Sequence, residues 1–324
     1  MAAPQSTAAM PPMMYGTAWK KERTADLVYE AIKAGFRGID TAAMKKHYDE
    51  ALAGEGIRRA IREGIVSRKD LFIQTKYTPH DPSSPGFSPT APIPSQIHTS
   101  LLSSLTNLTT PDQPADAVYI DALILHSPLP SIPQTLEAWA ALQSYLPSSP
   151  DPSRRGKILR LGISNVTLPI LQALSSYPGL ASPPVVVQNR FRGSERQWDR
   201  EVRAWVVAQQ QQRRQGGGAS GEVVRYQGFW TLTGNVAVWQ QQQQQQEGGG
   251  FVQDLAQGAG VSLAAAWYVL VMEAGVVVLN GTGHQGHMRE DLEAADKVAA
   301  WRGTEEGGRV WQRCWGRFEA LIGG

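Results

Sequence analysis

The chain has one cysteine, Cys314, among its 324 residues. A single cysteine forms neither an intrachain disulfide nor a thiolate metal cluster, so nothing suggests an oxidising compartment, and we expect no bound metal. A large excess of one charge is also absent, because 31 Lys and Arg offset 29 Asp and Glu and leave a formal charge of +2. This balance gives no electrostatic reason to expect nucleic acid or a membrane surface as partner. A small neutral or anionic molecule is a better match to this charge balance as the partner.

Long hydrophobic runs are missing as well. The most apolar region, from Val261 to Leu279, is interrupted by Glu273 and Gly275, so it indicates a helix, a turn and a strand rather than a transmembrane span. The N-terminal segment MAAPQSTAAMPPMM has no basic residue ahead of an apolar stretch and does not resemble a signal peptide. We therefore expect a soluble, cytoplasmic protein, and we expect it to be a monomer.

With 42% apolar and 19% charged residues, the chain is able to bury a core. Two low-complexity segments, 209–218 and 240–250, are rich in Gln and Gly. Poly-Gln has no apolar face to bury, so we interpret both segments as surface-loop insertions. Neither is flanked by segments that would each make a complete core, and residues 1–324 are therefore predicted to form a single domain.

Short apolar runs of strand length alternate with segments of helical period along the whole chain. The predicted strands are Met13–Tyr15, Gly38–Asp40, Leu71–Lys76, Ala122–His126, Leu159–Ser164, Val185–Gln188, Val223–Tyr226 and Val276–Leu279. The predicted helices are Thr24–Ala34, Ala51–Glu63, Ser95–Leu105, Ile132–Tyr145, Pro169–Ser176, Glu195–Ala208, Ser262–Glu273 and Met288–Ala300.

This order is a strand–helix unit repeated eight times, and continuous Val, Ile and Leu runs are typical of parallel strands that are covered on both faces. The pattern predicts an α/β fold, a (β/α)8 TIM barrel. A doubly wound open sheet is the alternative, but no G-x-G-x-x-G turn follows the first strand, as that fold usually requires for a dinucleotide. In a barrel the active site lies at the C-terminal ends of the strands.

Polar residues end most of these strands. Asp40, Lys76 and His126 end three consecutive strands, and Tyr48 lies in the loop after the second. A tyrosine keeps its proton at neutral pH, and a neighbouring ammonium such as that of Lys76 would stabilise its phenolate. A neutral imidazole at His126 would orient a carbonyl oxygen. Alternatively, Asp40 and Lys76 form an ion pair that has only a structural role.

The segments GIDTAAMKKHYDEALAGEGI, DLFIQTKYTP, DALILHSPLP, LGISNV and VVVQNRF, between Gly38 and Phe191, resemble the aldo-keto reductase superfamily in content and order. The resemblance implies a barrel oxidoreductase that binds a nicotinamide cofactor across the barrel opening and reduces the carbonyl of a small aldehyde or ketone. It also implies that Asp40, Tyr48, Lys76 and His126 are catalytic, with Tyr48 as the general acid.

By the same resemblance, a group of residues binds the cofactor. Ser164, Asn165 and Gln188 hold the nicotinamide carboxamide, and Tyr226 stacks on the nicotinamide ring. The remaining cofactor-binding residues that we predict are Gly16, Thr17, Asn280, Thr282 and His287. We favour NADPH, with NADH as the alternative, because NADPH is the usual cofactor of the family. The Lys-Ser pair that relatives with this preference usually have is replaced here by Asn280 and Gly281.

The chain also departs from the family pattern. Tyr48 lies further from Asp40 than in the commonest pattern, Asp49 replaces an asparagine, and His47 is an alternative donor next to Tyr48. Two other functions stay open at this point. One is a cofactor-binding regulatory or scaffold protein with little turnover, and the other gives the Gln-rich segments a role in partner binding.

Overall fold

Eight parallel strands close into a barrel in chain order. The structure is a computed structural model, and it describes residues 8–79, 88, 90–194, 196–215, 223–238 and 250–323. The closed barrel confirms the predicted fold class and excludes the open doubly wound sheet. The strands are β1 (Met13–Gly16), β2 (Gly38–Asp40), β3 (Phe72–Tyr77), β4 (Ala122–Leu125), β5 (Leu161–Ser164), β6 (Val186–Arg190), β7 (Arg225–Phe229) and β8 (Val276–Asn280).

Helices surround the barrel and follow the strands in the predicted alternation. They are α1 (Thr24–Ala34), α2 (Glu50–Arg62), α3 (Ile93–Asn107), α4 (Ile132–Gln143), α5 (Leu168–Ser176), α6 (Arg196–Gln215), α7 (Phe251–Ala259), α8 (Leu263–Glu273), α9 (Gln285–Arg302) and α10 (Glu305–Ile322). The eight predicted helices have counterparts among these, whereas α7 and α10 were not predicted. Residues Gln197–Asp199 at the start of α6 have positive φ, so the regular helix begins after them.

The alternation of side chains along each strand decides what lies inside the barrel. The inner core at one end is small and apolar, and it comprises Met14, Phe72, Ala122, Ile124, Val186 and Val277. Every second residue from these positions also points inward and lies nearer the C-terminal end of its strand. Intervening residues such as Tyr15, Ile73 and Val278 belong to the outer core against the helices. We call the opening at the C-terminal strand ends the mouth.

The first Gln-rich segment corrects a prediction. Residues 209–215 continue α6 as helix, although we predicted a loop insertion over 209–218. Gln and Arg have unbranched side chains and high helix propensity, so they extend a helix that is already formed. Gln210 also donates a 2.7 Å hydrogen bond to the carbonyl of Val224. Residues 216–218, and 240–249 of the second segment, lie outside the described residues.

No single helix of the described residues is long and apolar enough to cross a membrane. Only α7 and α8 taken together are long and apolar enough, and these two helices are bent by 105° relative to each other.

Candidate active site

Asp40, Lys76, Tyr48 and His126 come together at the mouth. The ammonium of Lys76 donates to Oδ2 of Asp40 at 2.6 Å and to the carbonyl of Thr41 at 2.8 Å. Its Nζ lies 4.8 Å from the centre of the Tyr48 ring. The rings of Tyr48 and His126 meet edge to face, with their centres 6.0 Å apart. The four side chains predicted to be catalytic therefore form one cluster.

The loop between β2 and α2 carries Tyr48 to this cluster despite its greater length. The backbone N–H of Tyr48 donates to the carbonyl of Met44 at 2.9 Å, which forms a tight turn that takes up the extra residues. Asp49 then caps α2, because its carboxylate accepts from the N–H of Leu52 at 2.9 Å. The turn and the cap hold the phenol between them.

His47, the alternative donor, occupies a different place. Its ring packs at a tilt against that of Trp19, with centres 3.8 Å apart, and its carbonyl accepts from the Trp19 N–H at 2.7 Å. Trp19 itself is 60% exposed and lies in the loop that follows the C-terminal end of β1. The ring that contacts both Lys76 and His126 is that of Tyr48.

Burial controls the protonation of these groups. It raises the pKa of Tyr48, against the opposing effect of the Lys76 ammonium and with a further rise from the Asp40 carboxylate. Lys76 does act in the direction that we predicted, but burial outweighs it. Burial alone would lower the pKa of Lys76, yet Asp40 and Tyr48 raise it above its usual value. At neutral pH the site thus holds a protonated phenol beside an ammonium.

His126 is held in its neutral form. Burial, together with the nearby charge of Lys76 and of His47, lowers the pKa of His126 to about 3. Its Nδ1 lies 2.8 Å from the hydroxyl of Thr78, which fixes the ring. A neutral imidazole beside a protonated phenol offers a second hydrogen-bond donor to a carbonyl oxygen without adding charge.

A layer of buried amides lies beneath this cluster. Gln74 donates to Oδ1 of Asp40 at 2.7 Å, and Gln188 donates to the same oxygen at 3.3 Å. Gln227 links the two amides, at 2.9 Å from Gln74 and 2.8 Å from Gln188. We predicted Gln188 but missed Gln74 and Gln227. Both are polar residues at inward positions of a strand. Gln74 lies two residues before the predicted end of its strand, and Gln227 directly follows the predicted end of its strand.

Ser164 and Asn165 lie beside this layer. The amide nitrogen of Asn165 donates to the carbonyl of His126 at 2.9 Å and to the hydroxyl of Ser164 at 3.2 Å. Its backbone has a φ of 54°, a left-handed conformation that Asn tolerates better than most residues. Ser164 in turn donates to Gln188 at 3.4 Å. The three residues predicted to hold a carboxamide are therefore adjacent.

Tyr226 does not join them, which corrects the expectation that it faces the mouth. We predicted that β7 ends at Tyr226, but the strand runs on to Phe229. Because Gln227 points inward, Tyr226 points outward, and its hydroxyl donates to Asp199 at 3.1 Å among the helices. The aromatic residue that reaches the mouth from β7 is Phe229.

Asn280 also faces outward, so the expectation that it touches the cofactor is corrected. Its amide nitrogen donates to Asp291 at 2.7 Å, and its Oδ1 accepts from the N–H of Thr282 at 2.8 Å. Asn280 thereby ties the loop after β8 to α9. Burial raises the pKa of Asp291 to about 6, and the hydrogen bond from Asn280 limits the rise.

The other predicted cofactor residues flank the ends of β1 and β8. Gly16 ends β1 next to the Asn280 carbonyl, and Thr17 is fully buried with a hydroxyl that has no hydrogen-bond partner among the described residues. Thr282 lines a cavity of about 330 Å³ together with Trp230, Thr231, Tyr268, His287 and Asp291. Thr282 and His287 are thus brought together, while Gly16 and Thr17 lie on the neighbouring strand.

Comparison with known protein families accounts for this arrangement. Residues 12–300 match the model of the aldo/keto reductase family, which is most of the chain. The chain belongs to this family.

Two named reductases align with parts of the chain. The NAD(P)H-dependent D-xylose reductase of Pachysolen tannophilus is 53% identical over 58 residues, 18% of each protein. The methylglyoxal reductase of Escherichia coli is 28% identical over 184 residues, 57% of this chain and 54% of that enzyme. The chain therefore spans between about a fifth and about half of the length of these relatives.

Solved aldo-keto reductases have the same fold. The enzyme from Brucella melitensis matches with a TM-score of 0.62 at 20% identity, and the match includes 91% of this chain and 94% of that enzyme. An aldo-keto reductase in complex with NADPH matches with a TM-score of 0.65 at 17% identity, and the match includes 96% of this chain and 86% of that protein.

The residues of this aldo/keto reductase fit a nicotinamide dinucleotide. The segment GTGHQG, from Gly281 to Gly286, follows β8 and opens α9, and its glycines have the spacing of a G-x-G-x-x-G turn. Glycines let a phosphate approach the backbone N–H groups at a helix N-terminus. The cavity beside this turn and the unpartnered Thr17 hydroxyl provide further room and a donor. Among the described residues, no group of three or more His, Cys, Asp or Glu side chains is placed to hold a metal ion.

Proposed function

We propose that the chain is an NAD(P)H-dependent reductase that converts a small aldehyde or ketone to an alcohol, with Tyr48 as the proton donor. The observation that carries this proposal is the position of Tyr48, whose ring lies between the Lys76 ammonium and the neutral His126. The names of the xylose and methylglyoxal reductases that the chain resembles support a small carbonyl compound as substrate.

Each residue of the cluster has a distinct role in the proposal. Tyr48 holds its proton at neutral pH and gives it to the carbonyl oxygen as negative charge develops there. Lys76 stabilises the phenolate that remains, and Asp40 keeps Lys76 charged and fixed. His126 donates a hydrogen bond that orients the carbonyl. When bound, the reduced nicotinamide supplies the hydride.

We further propose that Ser164, Asn165 and Gln188 bind the nicotinamide carboxamide and that the preferred cofactor is NADPH. Lys20 donates to the carbonyl of Gly281, and Arg23 donates to that of Gly283 at 3.3 Å. These two cations stand beside the glycine turn, where they would interact with the additional phosphate of NADPH. The comparison of NADPH with NADH as the reductant tests this choice.

The test of the function is to mix the protein with NADPH and a panel that includes methylglyoxal and D-xylose, and to follow the cofactor absorbance. We expect oxidation of NADPH with at least one carbonyl compound. Tyr48→Phe should abolish turnover and keep the dissociation constant of NADPH. Full activity of Tyr48→Phe would refute the role of Tyr48, and binding of NADPH without turnover on a broad panel would favour the scaffold alternative.

A further inference from the structure

Arg190 lies at the mouth but has no role in the proposed reaction. It is the last residue of β6, two positions after the inward-pointing Gln188, so its side chain leaves the strand on the same face as the site. The residue is partly buried. Strand register therefore places a guanidinium directly above the amide layer, on the side of the mouth where Asn165 lies.

In the part of the chain that the structure describes, few of the donors of Arg190 are used. Its Nη1 donates to Oδ1 of Asn165 at 3.1 Å, and no carboxylate within the described residues forms an ion pair with it. The guanidinium carbon lies 5.5 Å from the centre of the Phe229 ring and 5.0 Å from that of Trp230. A guanidinium has five N–H donors in a planar fork, so most of them remain for another group.

Contacts with aromatic rings hold this side chain in place. The guanidinium carbon of Arg192 lies 5.3 Å from the same Trp230 ring, so two cations share one aromatic residue. Trp230 is 43% exposed and has a φ of 57°, a left-handed conformation that is uncommon for a bulky residue.

We propose that Arg190 binds an oxyanion of the ligand at the mouth, either a phosphate of the nicotinamide cofactor or a carboxylate of the carbonyl substrate. The planar fork matches two oxygens of such a group, which Lys does not do. The rings of Phe229 and Trp230, which meet edge to face, fix the guanidinium before the ligand arrives. The identity of the ligand rests on the proposed function, whereas the anion site rests on the geometry of Arg190.

The experiment compares Arg190→Met and Arg190→Lys with the unsubstituted protein. The matched control is Arg225→Met, which removes the same charge from the exposed N-terminal end of β7, at the opposite end of the barrel. Melting temperatures establish that each variant is folded. If Arg190→Met does not fold, Arg190→Lys is decisive, because it keeps the charge and loses only the planar fork.

Two measurements distinguish the sources of the oxyanion. The first is the dissociation constant of NADPH, from quenching of tryptophan fluorescence at low and high salt. The second is the KM for butanal and for succinic semialdehyde, which differ by a terminal carboxylate. A phosphate site predicts that Arg190→Met weakens NADPH binding by about tenfold or more and reduces its salt dependence. A carboxylate site predicts a similar rise in KM for succinic semialdehyde only.

If neither quantity changes relative to Arg225→Met, the inference is overturned. The proposed function fails in a different way, namely if the unsubstituted protein oxidises NADPH with no carbonyl compound. In that case the NADPH-binding measurement still reports whether Arg190 holds a phosphate.

Discussion

The Nζ atom of Lys76 lies 2.6 Å from Oδ2 of Asp40, and the two side chains are only 1% and 3% exposed. An ion pair so far from water is strong only because the remaining hydrogen-bonding groups are satisfied. Here Gln74 and Gln188 donate to the other oxygen of Asp40, and the Thr41 carbonyl accepts from Lys76. The pair therefore holds the ammonium of Lys76 in a fixed position next to Tyr48.

Removal of one partner of this pair should be costly. We expect Asp40→Ala to lower the free energy of unfolding by about 3–5 kcal/mol, because Lys76 is then buried without a counterion. Urea denaturation at pH 7 measures the change. The double variant Asp40→Ala/Lys76→Met should lose less unfolding free energy than Asp40→Ala alone, because it buries no unpaired ammonium. A larger loss in the double variant would mean that Lys76 does not depend on Asp40.

The pKa of His126 predicts a pH dependence of stability. The folded protein holds His126 neutral down to about pH 3, while the unfolded chain takes up a proton near pH 6.5. The stabilisation is therefore present above pH 6.5 and lost as the pH falls, by about 2 kcal/mol between pH 7 and pH 5. In His126→Asn the decrease in unfolding free energy over this range should be smaller by that amount. Equal decreases in both proteins would contradict the prediction.

Glu50 ties the loop that carries Tyr48 to the strand that carries Lys76. Its buried carboxylate accepts from Thr75, from Ser104 at 2.9 Å and from Asn107 at 3.4 Å. We expect Glu50→Ala to lower the unfolding free energy by about 2–4 kcal/mol, because it leaves these donors unpaired. We also expect kcat to fall, since Tyr48 loses its support.

Steady-state kinetics and urea denaturation of the same preparation measure both effects of Glu50→Ala. Glu55→Ala, at an exposed position of α2, is the control and should change neither quantity appreciably. A normal kcat in Glu50→Ala would show that the hydrogen bonds of Glu50 do not position Tyr48.

The buried carboxyl of Asp291 is a position at which we expect a substitution to stabilise the protein. Burial raises the pKa of its carboxyl to about 6, so the folded protein binds a proton there that the unfolded chain releases near pH 4. The charged form is therefore penalised above pH 6. We expect Asp291→Asn, which keeps an acceptor for Asn280, to raise the unfolding free energy at pH 8 by about 2 kcal/mol. The gain should disappear near pH 4, and a gain that is independent of pH would contradict this explanation.

The strand and helix pattern was largely predictable, because eight buried parallel strands need continuous apolar runs that the sequence displays directly. Asp40, Lys76 and His126 were predictable for the same reason, since each is the polar residue at the end of such a run. Tyr226 and Asn280 were assigned wrongly as mouth residues. In a strand, one position decides whether a side chain points inward or outward, and a predicted end is rarely accurate to one residue.

The sequence by itself determined the succession of strands and helices, the family resemblance and the identity of the four clustered side chains, since these depend on local periodicity and on motifs contiguous in the chain. Only the tertiary structure decided that Phe229 rather than Tyr226 reaches the mouth, that Gln74, Gln188 and Gln227 form one amide layer, and that Arg190 donates to Asn165 beside that layer. These relations join residues far apart in the chain, and closure of the barrel with a particular register sets their distances.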